Sequence, residues 1–131
     1  MALLHEDITR QILGGYYDIY NDLGWGFSES VYASVMQFVL TERGLRAQRE
    51  VAYRVYYGGQ CHGEFRCDVV VNDVVIVELK ARPQLVPAHE AQLLNYLRAS
   101  GISVGLLLNF GPKPAVKRLI WTAQTQRLDD G

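Results

Sequence analysis

The residues of this sequence best suited to chemistry are two acids and a lysine that interrupt apolar runs. Glu78 and Lys80 follow the apolar residues 74–77, and Asp68 directly precedes the apolar residues 69–71. Because side chains alternate along a strand, Glu78 and Lys80 are expected to share one face. Charges on such apolar strands are costly unless they are paired or bind a metal ion. The pattern therefore predicts a charged site at the end of a buried strand.

The turn between these two strands decides whether the acids can meet. Asn72-Asp73 is a hairpin signal between two β-branched runs. With a plain two-residue turn, Asp68 would face Val77 and point away from Glu78. A three-residue connection, or one bulge, would bring Asp68 opposite Glu78. A shared acidic site therefore requires an irregular turn.

Two carboxylates at such a position suit Mg²⁺ or Mn²⁺, which prefer hard oxygen ligands. Lys80 beside them could orient or help deprotonate the attacking water and stabilise charge on a phosphate. That chemistry is the hydrolysis of a phosphodiester. The alternative is a structural ion pair, either Glu78 with Lys80 or Asp68 with Arg66, and short triplets such as Glu78-Leu79-Lys80 also recur by chance.

Four further polar residues could face this site. Glu29 lies in the first turn of a predicted helix, where an acid could reach the metal or could simply complement the helix dipole. His89, Gln92 and Tyr96 share one face of a helix that follows the triplet. They could hold a phosphate, a base or a water molecule, or they could form a solvated helix face.

Hydrophobic periodicity predicts the elements that must position these residues. The predicted order is a helix from residue 6 to about 23, a helix from Ser28 toward Arg43, strands at 46–57, 65–71 and 74–80, a helix at 87–100, a strand at 103–110 and a short strand at 117–121. The predicted apolar positions are Val31, Val35, Phe38 and Val39 in the second helix and Ala91, Leu94 and Leu97 in the third.

The third predicted helix is a crossover, so the strands at 74–80 and 103–110 are expected to be parallel and adjacent or nearly so. The predicted fold class is α/β, in the form of a mixed α+β sheet flanked by helices.

Length and composition favour one domain spanning residues 1–131, with the polar residues 122–131 as a loose tail. A formal net charge of −1 argues against a strong nonspecific grip on DNA. Cys61 and Cys67 are too few for a disulfide framework, and a reducing cytoplasm fits them best. No apolar stretch approaches the roughly 20 residues that span a bilayer, so no membrane partner is expected.

Five motifs follow one another along the chain. They are Gly26-x-x-Glu29-x-x-Tyr32, Asp68, the Val-Glu-Leu-Lys-Ala of residues 77–81, Gln92-x-x-x-Tyr96, and the Gly-Leu-Leu-Leu-Asn-Phe-Gly of residues 105–111. Together they resemble the GxxExxY protein family of the PD-(D/E)XK nuclease superfamily, over roughly residues 8–121. Cys67 stands where the superfamily name has Pro, at a place that is commonly variable.

This resemblance implies a restriction-endonuclease-like core and assigns roles to individual residues. Lys80 becomes the catalytic lysine, and Gln92 and Tyr96 lie beside the active site, with His89 as a further candidate on the same helix. The implied ligands of Mg²⁺ or Mn²⁺ are Asp68, Glu78, Glu29 and the backbone carbonyl of Leu79.

The expected function is that of an enzyme, a metal-dependent nuclease that hydrolyses phosphodiester bonds in DNA, with RNA as the second candidate substrate, by a metal-activated water. The alternative is a catalytically silent nucleic-acid-binding or assembly module that retains the fold. A third option is hydrolysis of a small phosphorylated molecule. A homodimer or a protein partner could supply the affinity that a nearly neutral domain lacks.

Overall fold

The computed structural model describes residues 4–122, and the order of helices and strands is the one that periodicity predicts. The helices are α1 (Glu6–Leu23), α2 (Glu29–Glu42) and α3 (Pro87–Ser100). The strands are β1 (Ala47–Tyr57), β2 (Gln60–Val71), β3 (Val75–Lys80), β4 (Val104–Phe110) and β5 (Pro114–Ile120). Apart from Thr122, the predicted tail lies outside the described residues.

The helix ends follow the capping residues of the sequence. The Ser28 hydroxyl accepts a hydrogen bond from the Val31 N–H at 3.4 Å, which caps α2. Pro87 occupies the first turn of α3, and Gly101 ends that helix in the left-handed conformation with a φ of 79°. Among the residues that the structure describes, no helix is both long and apolar enough to cross a membrane.

The five strands form one mixed sheet in the order β1-β2-β3-β4-β5. β3 and β4 are parallel neighbours joined by the crossover helix α3, as predicted, and the other neighbouring pairs are antiparallel. One face of the sheet packs against α1 and α2, and the opposite face packs against α3. Both faces of β3 and β4 are therefore buried, which explains their nearly continuous apolar sequences.

The predicted apolar positions of α2 are only partly right, since Val35 and Val39 pack against the core at its edge. Val31 and Phe38 are 39% and 65% exposed. The residues that α2 buries are Tyr32, Ala33, Met36 and Leu40. The helix is apolar on more than one side, so its sequence alone does not fix which side faces the sheet.

The predicted apolar side of α3 is only partly right. Leu97 is buried, but Leu93 replaces Ala91 and Leu94 as its buried companion. Gly105 of β4 lies below Leu93, and a Cβ at Gly105 would stand 2.9 Å from Leu93 Cδ1. The missing side chain at Gly105 therefore admits Leu93 and sets how closely α3 approaches the sheet.

Candidate active site

The connection between β2 and β3 has three residues, residues 72–74, because Val71 pairs with Val75. Asn72 and Asp73 both adopt left-handed conformations, with φ values of 51° and 59°. The Val74 N–H then donates to the Val71 carbonyl at 3.0 Å, closing the turn. This is the irregular turn that a shared acidic site requires.

The register set by this turn places Asp68 opposite Glu78, since the preceding pair is Val69 with Val77. Here each acid binds the backbone of the opposite strand. Glu78 Oε2 accepts the Asp68 N–H at 2.7 Å, and Asp68 Oδ2 accepts the Leu79 N–H at 2.8 Å. The two carboxylates are therefore held beside each other by reciprocal hydrogen bonds.

The alternation of side chains between the two faces of the β1–β2 hairpin is broken at Asp68. Val69 packs with α1 and α2, whereas Cys67 packs with α3, although strict alternation would put both on one face. On β1 the facing residue is Glu50, which has a φ of 55°. The pleat is thus interrupted on both strands, and Asp68 lies at the interruption.

Burial dominates the electrostatics of the acidic pair. Glu78 is only 4% exposed. Burial, followed by the charge of Asp68, raises the pKa of Glu78 to about 8. Burial also raises the pKa of Asp68, against the opposing hydrogen bond from Leu79. The pair therefore retains a proton near neutral pH when no cation neutralises it.

This raised proton affinity predicts that the metal-free protein loses stability as pH rises. The folded pKa of Glu78, about 8, lies above its ordinary value of 4.5, so between these values the folded state holds more protons than the unfolded state. We expect the free energy of unfolding to fall by a few kcal/mol from pH 5 to pH 8, measured by urea denaturation in EDTA.

Glu78→Gln should flatten this pH dependence, because the amide cannot ionise. Glu42→Gln, at an exposed position in α2, is the matched control and should retain the wild-type slope. A Glu78→Gln protein whose stability falls as steeply as that of the wild type would contradict the assignment.

Lys80 extends from the end of β3 toward α3. Its ammonium group donates to Gln92 Oε1 at 3.4 Å, and its charge lowers the pKa of both Asp68 and Glu78. His89, one turn earlier on α3, accepts the Val86 N–H through Nδ1 at 3.2 Å. Burial and the charges of Lys80 and then Arg82 lower the pKa of His89, which favours its neutral form.

Glu29 reaches the same end of the sheet from α2 but is engaged by the backbone. Its Oε2 accepts the Ala81 N–H at 3.1 Å and lies 3.8 Å from Arg82 Nε. Within residues 4–122, no three or more His, Cys, Asp or Glu side chains are grouped as a metal site. The structure thus brings Asp68 and Glu78 together and leaves Glu29 bonded to the chain that follows β3.

Tyr96 lies on the same side of the sheet but against β2. Its ring stacks on Phe65, with centroids 4.1 Å apart and planes at 8°. Burial and the charge of Glu78 raise the pKa of Tyr96. Tyr96 therefore lies on the β2 side of the acidic pair, against the hairpin residue Phe65. Gln92 lies on the other side, where it contacts Lys80.

Sequence analysis assigned no role to Asn109, which fixes the chain after β3. Asn109 is 1% exposed and pairs with Lys80 across β3 and β4. Its Oδ1 accepts the Arg82 N–H at 3.0 Å, and its Nδ2 donates to the Arg82 carbonyl at 2.9 Å. A single amide within the otherwise apolar residues 106–110 was the available signal, because buried amides need partners.

Tyr32, the last residue of the first motif, fixes the loop that precedes Glu29. Its hydroxyl donates to the Gly24 carbonyl at 2.7 Å and accepts the Phe27 N–H at 3.3 Å. Its ring stacks on Phe110, with centroids 3.8 Å apart. The spacing of this motif therefore has a structural basis, since Tyr32 holds the loop from which Glu29 begins α2.

Gly111→Ala should disturb this end of the sheet. A Cβ at Gly111 would stand 2.4 Å from the Arg82 carbonyl oxygen and 2.7 Å from Asn109 Nδ2. We expect a loss of about 1–3 kcal/mol in the free energy of unfolding. Gly63→Ala is the control, since a Cβ there meets open space, and it should change stability by less than about 0.5 kcal/mol. Equal urea midpoints for the two variants would refute this account of Gly111.

The sheet order, the flanking helices and the acidic pair together define a nuclease-like α+β fold. A family model of the PD-(D/E)XK nuclease superfamily matches residues 6–119. The chain therefore belongs to the PD-(D/E)XK nuclease superfamily.

The fold is also found among solved structures. One of them is the crystal structure of SSO0001, with a TM-score of 0.57 and 20% sequence identity over 76% of this chain and 55% of that chain. This chain thus spans little more than half the length of that protein. No curated protein matches the sequence.

Proposed function

We propose that this protein is a Mg²⁺- or Mn²⁺-dependent nuclease that hydrolyses phosphodiester bonds in DNA, with RNA as a further possible substrate. The observation that carries this proposal is the acidic pair itself. Asp68 and Glu78 are buried beside each other, held by reciprocal backbone hydrogen bonds, with the charge of Lys80 next to them. The alternative of a structural ion pair is weaker, since Lys80 is hydrogen-bonded to Gln92 and Arg66 is paired with Glu64.

The donor set fits a hard divalent cation. Asp68 and Glu78 offer carboxylate oxygens only, and burial raises the pKa of each acid, an electrostatic cost that a cation bound between them would offset. The proposed ligands are these two acids, with Glu29 and the Leu79 carbonyl as further candidates. Such a metal, when bound, polarises the phosphate and makes a nearby water more acidic.

The remaining groups orient and stabilise the reactants. The Lys80 ammonium group would bind a phosphate oxygen and stabilise the charge that develops there. Gln92 would orient Lys80 through the hydrogen bond between their side chains. Glu29, by holding the Ala81 N–H, would keep the chain that leaves β3 away from the substrate.

The direct test is cleavage of labelled single-stranded, duplex and hairpin oligonucleotides with Mg²⁺, with Mn²⁺ and in EDTA. We expect cleavage that requires the metal and is absent in Asp68→Asn. The control Asp18→Asn removes an exposed acid of α1 and should cleave as the wild type does. Equal cleavage by wild type and Asp68→Asn would assign the activity to a contaminant and end the proposal.

A second candidate is a catalytically silent binding or assembly module. It is favoured by Glu29, whose carboxylate is already engaged by the Ala81 N–H and by Arg82, although its charge also raises the pKa of Asp68. A silent module predicts that Mg²⁺ and Mn²⁺ leave the melting temperature unchanged. A nuclease site predicts an increase that grows from pH 6 to pH 8, as the acids lose their shared proton.

A further inference from the structure

A groove of about 770 Å³ lies between the outer half of the β1–β2 hairpin and α3. Its hairpin side carries Arg54, Tyr56 and Tyr57, and its α3 side carries Tyr96 and Arg98. The stacked pair of Phe65 and Tyr96 lies between the two sides. Cys67, which packs with these two rings, is the immediate neighbour of Asp68. The edge of the groove at Phe65 and Tyr96 therefore lies on the same side of the sheet as the acidic pair.

Two aromatic side chains of this groove are largely exposed to solvent. Tyr57 is 81% exposed and Tyr56 is 61% exposed. Neighbouring exposed aromatic rings commonly mark a binding surface. Tyr56 hydrogen-bonds with the Arg54 side chain, and the Tyr57 ring meets only the edge of the His62 ring at 6.3 Å among the ring contacts of the described residues, so the faces of both rings remain accessible.

The charge of the groove is positive, in contrast to the whole chain. Arg54 and Arg98 line it, and none of the described residues that line it is an acid. Glu64, the β2 partner of Arg54, does not line the groove: it is 3.8 Å from Arg66 in an ion pair, and its charge also acts on Arg54. In a protein of net charge −1, two arginines beside exposed aromatic rings form a local site for an anion that also carries flat rings.

We propose that this groove binds an unpaired nucleic-acid strand, with bases against Tyr56 and Tyr57 and phosphates against Arg54 and Arg98. The inference rests on the nuclease function for its link to cleavage, since it names the substrate class as single-stranded. Aromatic platforms receive only bases that have left the helical stack. A groove of this volume holds groups of small-molecule size, such as one or a few unstacked bases.

Binding is tested in EDTA, so that cleavage does not interfere, with labelled DNA and RNA strands of about 12 nucleotides and a duplex of the same sequence. Fluorescence anisotropy should give tighter binding of the single strands than of the duplex. Comparing the affinities for the DNA strand and the RNA strand shows whether the groove prefers deoxyribose or ribose.

Tyr57→Ala should weaken single-strand binding by about 5- to 150-fold, the range measured for loss of one stacked base, whereas Tyr57→Phe should retain it. Phe38→Ala is the control, because Phe38 is a comparably exposed ring on α2, away from the groove. Arg98→Ala should weaken binding and lower the slope of log affinity against log salt by about 0.7. Arg10→Ala, an exposed arginine of α1, should leave that slope unchanged.

Equal binding by Tyr57→Ala and Phe38→Ala, or tighter binding of the duplex, would overturn the inference. Its failure is separable from failure of the nuclease function. Metal-dependent cleavage that is unchanged in Tyr57→Ala would support the nuclease function and contradict single-strand binding in the groove. Single-strand binding that depends on Tyr57 and Arg98, in a protein that cleaves no nucleic acid, would support the groove and contradict the nuclease function.

Discussion

Lys80→Met is expected to lower the rate of metal-dependent cleavage by about 10²- to 10³-fold, the usual cost of removing one group that stabilises developing charge. Methionine keeps the length and the apolar stem of lysine and removes only the ammonium group. The melting temperature should change little, because the Lys80 ammonium group makes one long hydrogen bond, to Gln92 at 3.4 Å. Single-turnover cleavage at saturating protein measures the chemical step.

The matched control is Lys117→Met, at an exposed position of β5. It removes the same charge from the same domain, so any general effect of charge on nucleic-acid binding appears in both variants. Gln92→Ala should have a smaller effect than Lys80→Met, because Gln92 acts through Lys80. A Lys80→Met protein that cleaves as fast as Lys117→Met would show that Lys80 takes no part in the reaction.

Deletion of Asp73 should abolish the site and lower the free energy of unfolding by more than about 3 kcal/mol. With only two residues in the turn, one outcome is that β3 keeps its position and the Glu78 side chain points toward α1 and α2, where it is a buried charge without a partner. The other outcome is that β3 shifts by one residue along β2. Both outcomes separate Glu78 from Asp68. Urea denaturation and the metal-dependent cleavage rate measure the two effects.

Asp73→Gly separates the length of the turn from its chemistry. Glycine accepts the left-handed conformation that Asp73 adopts, and the substitution removes only the exposed ion pair with Arg46. Such pairs contribute at most about 1 kcal/mol. Asp73→Gly should therefore stay folded and active. If the deletion were as stable and active as Asp73→Gly, the register would not determine the site.

The sequence allows the order of the elements to be predicted from local patterns, and it makes the meeting of the two acids depend on one quantity, the length of the turn between β2 and β3, which the structure supplies. Asp68 and Glu78 belong to one hairpin, so a count of the turn residues decides whether they meet. The parallel pairing of β3 with β4 follows in the same way from the crossover helix between them. These inferences need only the period of the side chains and the length of the connections.

The errors arise where packing between distant elements decides. The side that α2 buries depends on Phe110, which stacks on Tyr32. Leu93 is buried because Gly105, on another element, leaves room for it. The carboxylate of Glu29 binds Ala81, which is 52 positions away. These contacts depend on which residues of other elements lie nearby in the folded protein. The spacing of residues along one sequence does not reveal which these are.

The exchange of faces at Glu50 and Asp68 divides the hairpin into two parts that should differ in their tolerance of substitution. The inner part, which includes Val69, belongs to the core between the sheet and the first two helices. The outer part, from Arg54 to Phe65, is mostly exposed and contributes little to that core. Substitutions in the outer part are therefore expected to cost little stability, so the ligand preference of this hairpin could be changed by mutation while the acidic pair is left intact.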